Sequence, residues 1–166
     1  MFQKENRSLI GASLLLGVGL GGFFDGILFH QILQLHSMLS NQLPKTTVPN
    51  MEVNMFWDGL FHAVTWTTTV SGLALLWRAV CRPEAILSTK VFIGSLFAGW
   101  GLFNFLEGII DHHILQVHHV VDGPVHLVWD LVFLASGLVF LALGYALIKQ
   151  GETRNESLLY EHTHAV

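Results

Sequence analysis

The chain has little of what holds small soluble proteins together. Its one cysteine, Cys81, excludes an internal disulfide and leaves the redox compartment open. Only 12% of the 166 residues are charged, against roughly a quarter in an average soluble protein. It also lacks a basic patch with interleaved aromatic residues, so nucleic-acid binding is not expected. Hydrophobic residues make up 52% of the chain, which favours a membrane protein.

Four apolar stretches are each longer than the roughly 20 residues that cross a bilayer as a helix. They run approximately over Leu9–Leu35, Phe56–Trp77, Val91–Ile114 and Val125–Ile148. The first is too long for a cleavable signal peptide and continues directly into a polar motif. The sequence therefore predicts an all-α fold, an integral membrane four-helix bundle over residues 1–150. Residues 151–166 are predicted to form a polar cytoplasmic tail.

A polar motif occurs twice in the chain. Residues 23–39 read FFDGILFHQILQLHSML, and residues 105–121 read FLEGIIDHHILQVHHVV. The pairs at constant offset are Asp25 and Glu107, Gly26 and Gly108, His30 and His112, Gln34 and Gln116, and His36 and His118. We interpret this as two tandem helical-hairpin repeats, at about 8–80 and 90–149, related by an axis along the membrane normal.

Basic residues predict the orientation. Most Lys and Arg residues lie near the termini or in the second loop, whereas the first and third loops contain only Lys45. The positive-inside rule then places both termini in the cytoplasm and the loops around 37–54 and 116–124 outside. Loop one contains Pro44 and Pro49 and is expected to be irregular. Pro124 is expected in the first turn of the last helix, and Ser88 or Thr89 is a candidate cap of the third.

Carboxylates and histidines from all four helices are predicted to meet in one layer. At 1.5 Å per residue, they lie roughly 24–34 Å from the cytoplasmic charges that anchor their helices. Polar groups at such depth are costly and usually functional. The candidates are Asp25, His30, Asp58, His62, Glu107, Asp111, His112, His126 and Asp130.

Helical spacing indicates which candidates share a face. Asp58 and His62 are spaced i, i+4, as are His126 and Asp130, so each pair lies on one face. His30 and His112 would point about 140° away from Asp25 and Glu107 in a regular helix. They need other neighbours, or a local distortion near Gly26 and Gly108, to join the same site.

Three further histidines, His36, His118 and His119, project beyond the hydrocarbon and are solvated loop residues, an entry funnel, or ligands. The whole set suits two or three transition-metal ions, with Fe, Zn, Mn and Cu all compatible with carboxylate and imidazole donors. The alternative for each candidate is a hydrogen-bonded pair that supports helix packing. The candidate metal ligands are Asp25, His30, His36, Asp58, His62, Glu107, Asp111, His112, His118, His119, His126 and Asp130.

With the motifs FFDGILFHQILQLHSM, FWDGLFHA and EGIIDHHILQVHHV, the chain resembles a bacterial family of small four-helix membrane proteins, catalogued as domain of unknown function 2243. The resemblance covers most of the chain. It implies a bacterial inner-membrane setting and brings no activity with it. The predicted site lacks the Glu-x-x-His pairs of ferritin-like di-iron bundles.

Three functions remain open. The favoured one is a metalloenzyme that uses oxygen for oxidation or promotes metal-assisted hydrolysis, acting on a lipid-like or small-molecule substrate. The second is metal handling, as a chaperone or transporter that delivers metal to another membrane enzyme. The third is haem ligation by His30 and His112. Membrane lipid and metal ions are the expected partners, and homo-oligomerisation is left open.

Overall fold

A computed structural model describes residues 7–83 and 87–164 of the protein, with side chains up to residue 153. Four helices and no strand occur in these ranges, which confirms the predicted all-α fold. Helix α1 covers Arg7–Phe24 and continues as a π-helix over Asp25–Ile32. Helix α3 covers Thr89–Glu107 and continues as a π-helix over Gly108–Ile114. Helix α2 is Val48–Val80, and α4 is His126–His164, extending into the predicted tail.

The helix starts differ in part from the expected positions. Thr47 caps α2, so Pro49 lies in its first turn rather than in an irregular loop. Proline fits there because the first backbone N–H groups of a helix have no intrahelical acceptor. Pro124 lies in a turn just before α4 rather than inside it. Ser88 caps α3 as predicted, its hydroxyl accepting a hydrogen bond from the Val91 N–H at 3.4 Å.

Within the part of the chain that the structure describes, three segments are long and apolar enough to cross a membrane: Arg7–Ile32, Thr89–Ile114 and His126–Thr153. Helix α2 is long enough, at 33 residues, but is less apolar. It nevertheless follows α1 from end to end. Asp58 on α2 contacts His30 at one end, and Arg82, just beyond α2, donates to Ser8 at the other. Helix α2 therefore lies alongside α1 over most of the length of α1.

Helices α1 and α3 form the centre of the molecule. They pack against each other, α2 packs on α1, and α4 packs on α3. The contact between α1 and α3 is close because glycines face backbone: a Cβ at Gly17 would overlap the backbone of Leu96, and one at Gly99 would overlap that of Leu14. Small residues allow such approach between membrane helices. The two glycines are separated by the same offset as the polar motifs.

Helices α2 and α4 expose apolar side chains on their outer faces. Trp66 and Trp77 of α2 are 60% and 72% exposed, and Val139 of α4 is 61% exposed. These surfaces suit hydrocarbon rather than water, and they contact lipid in a membrane. Among the described residues, most of the buried carboxylates and all of the buried histidines lie elsewhere, at the end where α1 and α3 become π-helical.

Candidate metal centre

The π-helical segments bring the histidines next to the carboxylates. In a π-helix the hydrogen bonds join residues i and i+5, so residues five apart lie one turn apart. His30 Nε2 consequently lies 3.0 Å from Asp25 Oδ2. The second π-helix places Glu107 and His112 at the same spacing. Of the two arrangements that the sequence left open for these histidines, the structure has the local distortion beside Gly26 and Gly108.

Each π-helix is followed by a reversal of the chain. Gln34 and Gln116 have left-handed backbone angles, with φ of 52° and 48°. Non-glycine residues adopt this conformation infrequently, and it costs about 1–2 kcal/mol. The reversals direct His36 and His118 back onto the ends of α1 and α3. Both side chains are fully buried, so they are neither solvated loop residues nor part of an exposed funnel.

Hydrogen bonds fix the protonation of these two imidazoles. His36 Nδ1 donates to the carbonyl of Val120 at 2.9 Å, and His118 Nδ1 donates to that of Met38 at 3.2 Å. Because a carbonyl only accepts, Nδ1 must carry the proton, and Nε2 keeps its lone pair. Burial lowers the pKa of His36 to about 3 and that of His118 to about 4. Both histidines are therefore neutral near neutral pH, the form that binds a metal.

Six side chains supply one continuous cluster of donor atoms. It consists of three overlapping groups, and within each group the donor atoms lie within 4.8 Å of one another. The groups are His30, His36 and His118; Glu107, His112 and His118; and Asp25, His30 and Glu107. His30, Glu107 and His118 each belong to two groups. Three of the six residues come from each copy of the repeated motif.

The donor atoms of the cluster are buried and without hydrogen-bond partners. This holds for Nε2 of all four histidines, for Oδ2 of Asp25 and for both carboxylate oxygens of Glu107. The 3.0 Å approach of Asp25 to His30 does not have hydrogen-bond geometry. A buried polar atom without a partner costs about 1–3 kcal/mol. Imidazole nitrogens and carboxylate oxygens are atoms that can ligate a metal ion, so these side chains could hold one.

A second layer of polar groups holds the histidines. Asp58 Oδ1 accepts from His30 Nδ1 at 2.9 Å and from the Met38 N–H at 2.8 Å. Asp130 accepts from the Val120 N–H at 3.0 Å and lies 3.5 Å from His112 Nδ1. A carboxylate behind a ligating imidazole is the usual arrangement at metal sites. The predicted candidates Asp58 and Asp130 are therefore placed to orient ligands.

The remaining candidates lie around the cluster rather than in it. Among the described side chains, His62, Asp111, His119 and His126 belong to none of the three donor groups. His62 Nδ1 bonds to the backbone oxygen of Asp58 at 2.7 Å, and His126 Nδ1 bonds to that of Gly123 at 2.9 Å. His119 Nδ1 bonds to Asp130 Oδ2 at 2.7 Å.

One residue that positions the site was not among the candidates. Asn54 is buried on α2, and its amide accepts from the Leu39 N–H and donates to the carbonyl of Leu43. These bonds hold the loop that carries His36. A single Asn before an apolar stretch does not reveal such a role, because the loop it holds lies more than ten residues away in sequence.

The fold and this cluster define an all-α membrane protein with four helices and a buried group of His, Asp and Glu side chains that could hold a metal ion. A family described as predicted membrane protein (DUF2243) matches residues 12–151, and the chain belongs to this family. No curated protein and no solved structure matches the chain.

Proposed function

We propose that this protein is a membrane metalloenzyme whose six clustered donors bind transition-metal ions. The observation that carries the proposal is the set of unpartnered, buried donor atoms in Asp25, Glu107 and the four histidines. An exposed acidic cluster would be solvated, whereas these side chains are buried from bulk solvent. A haem is a poorer fit, because the converging atoms include carboxylates as well as imidazoles.

The charges favour two ions. Asp25 and Glu107 lie in the cluster, and Asp58 and Asp130 lie directly behind it. Two divalent cations would neutralise these four carboxylates, and a buried site needs its charges compensated. Both oxygens of Glu107 are without hydrogen-bond partners and Glu107 belongs to two donor groups, so it would be one of the residues that hold an ion. Imidazole and carboxylate donors suit Fe, Zn, Mn or Cu.

Catalysis is favoured over a structural role by the number of donors. Six donors shared by two ions leave three protein ligands for each ion. Structural zinc sites are closed by four protein ligands, whereas catalytic sites have three and an open position. Bound ions with an open position would polarise water or activate oxygen, giving hydrolysis or oxidation. The protein side chains would hold the ions, orient the imidazoles and exclude bulk water.

Metal delivery is the second candidate. The pair His119 and His126, with ring centroids 4.2 Å apart at the partly exposed edge of the site, favours it because such a pair could pass an ion inward. Transport across the whole membrane is disfavoured, since residues 9–22 and 91–98 contain no ionisable side chain. Removal of metal by a chelator would separate the two roles: a delivery site releases its ions readily, whereas a catalytic site retains them.

The location of the site is also part of the proposal. The positive-inside rule places both termini in the cytoplasm and the cluster toward the periplasmic or extracellular face of a bacterial inner membrane. A cysteine-accessibility experiment tests this. With Cys81 replaced by Ser, a cysteine introduced at Asn41 or Asp122 should react with a membrane-impermeant maleimide in intact cells. The wild-type protein, whose cysteine is Cys81, should not react.

Elemental analysis of the purified protein tests the metal site. We expect about two transition-metal ions per chain after gentle purification. Replacing His30 and His112 together by Gln should remove most of this metal, because both belong to the donor groups. Replacing His62 and His126 together by Gln is the matched control and should leave it. Less than one ion per wild-type chain, or equal loss in both double variants, would contradict the proposal.

A further inference from the structure

A groove beside the cluster opens toward the bilayer. It has a volume of about 320 Å³ and lies within the membrane-spanning length of α3. Its walls come mainly from α3 and the π-helix that follows it. Val18 of α1, Phe61 of α2 and Met38 in the loop between α1 and α2 complete the lining. Apolar side chains line it, including Phe61, Phe103 and Ile110. Its polar lining residues are two carboxylates, Glu107 of the cluster and the half-buried Asp111.

The two copies of the repeated motif differ at this groove. On the opposite face, the position equivalent to Val18 is Trp100, and those equivalent to Leu106 and Asp111 are Phe24 and Phe29. The ring of Phe24 lies between the other two rings. Its centroid is 5.1 Å from that of Trp100 and 5.8 Å from that of Phe29.

The groove on that face consequently stops short of the cluster. It has a volume of about 180 Å³ and ends at Trp100 and Leu20, and no ionisable side chain lines it. If the two copies of the motif were equivalent, the two faces would have similar side chains. Here one face is filled by aromatic rings, whereas the other combines an apolar groove with two carboxylates at its end.

We infer that the open groove binds a single-chain amphiphile from the bilayer and presents its head group to Glu107 and Asp111. This inference rests on the metal site proposed above and names the class of substrate for it. The volume is at the lower end of small-molecule sites, which suits one alkyl chain rather than a multi-ring cofactor. The carboxylate oxygens of Glu107 and Asp111 can accept hydrogen bonds, so a head group that donates one, such as a hydroxyl or an amine, suits this end of the groove.

Photo-crosslinking in detergent tests the groove. The probe is a long-chain primary alcohol with a diazirine in the chain, added to the metal-loaded protein, and the labelled peptides are identified by mass spectrometry. We expect labelling centred on Phe103–Ile110. The alkane analogue, which lacks the hydroxyl, should label this segment about 10-fold less, equivalent to about 1.4 kcal/mol of binding free energy. The corresponding amine serves to distinguish the two head groups.

Two sets of variants make the test specific. V18W combined with L106F copies the closed face and should abolish the labelling, while V132W, at an exposed position on α4, should leave it unchanged. W100V combined with F24L should open the other face and create labelling there. Uniform labelling along the exposed helices by alcohol and alkane alike would mean bulk lipid contact only, and would overturn the inference.

Metal analysis of the same samples separates this inference from the proposed function. V18W/L106F leaves all six donors in place, so its metal content should equal that of the wild type. If the wild-type protein binds metal but shows no preferential labelling, the inference that the groove binds an amphiphile is overturned and the proposed metal site is not. A wild type without metal would overturn the metal site, and labelling of Phe103–Ile110 would still decide whether the groove binds an amphiphile.

Discussion

His36 and His118 stack face to face across the two halves of the molecule, with ring centroids 4.6 Å apart and planes 4° from parallel. Two imidazolium ions in this arrangement would repel each other, so the stack requires at least one neutral ring. The hydrogen bonds from Nδ1 to backbone carbonyls keep both Nε2 lone pairs available. The stack therefore positions two metal donors side by side.

The two stacked histidines should differ in importance. His118 belongs to two donor groups, whereas His36 belongs to one. We predict that His118→Gln loses more metal than His36→Gln, measured by elemental analysis at matched protein concentration. His113→Gln is the control, because its side chain is outside all three groups. Equal losses from His36→Gln and His118→Gln would argue against the overlapping arrangement.

The carboxylates behind the histidines should tune metal affinity. We predict that Asp58→Asn weakens metal binding by about 10–100-fold, the usual effect of losing such a partner. Asp130→Asn should have a smaller effect, because Asp130 lies farther from its histidine, at 3.5 Å against 2.9 Å. Competition with a chromogenic chelator measures both constants. Asp122→Asn, in the exposed loop before α4, should leave the constant unchanged.

Acid should destabilise the metal-free protein. The pKa values of His36 and His118 are lowered to about 3 and about 4 in the folded state, mainly by burial, from an unfolded value near 6.5. Between these values the unfolded chain binds more protons, so folding stability falls as pH falls. We expect the midpoint temperature of thermal unfolding to decrease as the pH is lowered below about 6.5. The His36→Gln/His118→Gln double variant should show a shallower pH dependence over this window, and an identical slope would contradict the assignment.

Close packing of α1 on α3 should depend on glycine. We predict that Gly99→Ala destabilises the protein by about 1–3 kcal/mol or more, since the added methyl group overlaps the backbone of Leu14. Gly11→Ala is the control, because a Cβ there meets no atom within 4 Å. Unfolding by denaturant in mixed micelles gives the difference. Equal stability of the two variants would mean that the helices separate at little cost.

The repeated motif made part of the cluster predictable. Asp25 and Glu107 occupy equivalent places in the motif, and the structure brings both into one cluster. Apolar length identified all four helices, although the polar start of α2 hid its true beginning at Val48. These features depend on local composition and spacing, which a sequence displays directly.

The orientation of the histidines was not predictable from spacing. A regular helix directs His30 away from Asp25, and the π-helix that reverses this has no simple sequence signature. The turns at Gln34 and Gln116 were hidden for a similar reason, since glycine is the usual residue at a positive φ. Sequence reasoning consequently placed His36 and His118 beyond the hydrocarbon as candidate loop residues, whereas the chain folds them back and buries them against the ends of α1 and α3.

The division of the cluster between the two motif copies bears on how the protein is made. Two of the three donor groups combine side chains from both hairpins, and His36 and His118 each bond to the backbone of the other half. During synthesis, the first hairpin enters the membrane before the second exists, with Asp25 and His30 lacking their partners. The metal site can form only after the second hairpin has docked through Gly17 and Gly99. A bound ion would thus stabilise the contact between the two hairpins only after both have been inserted.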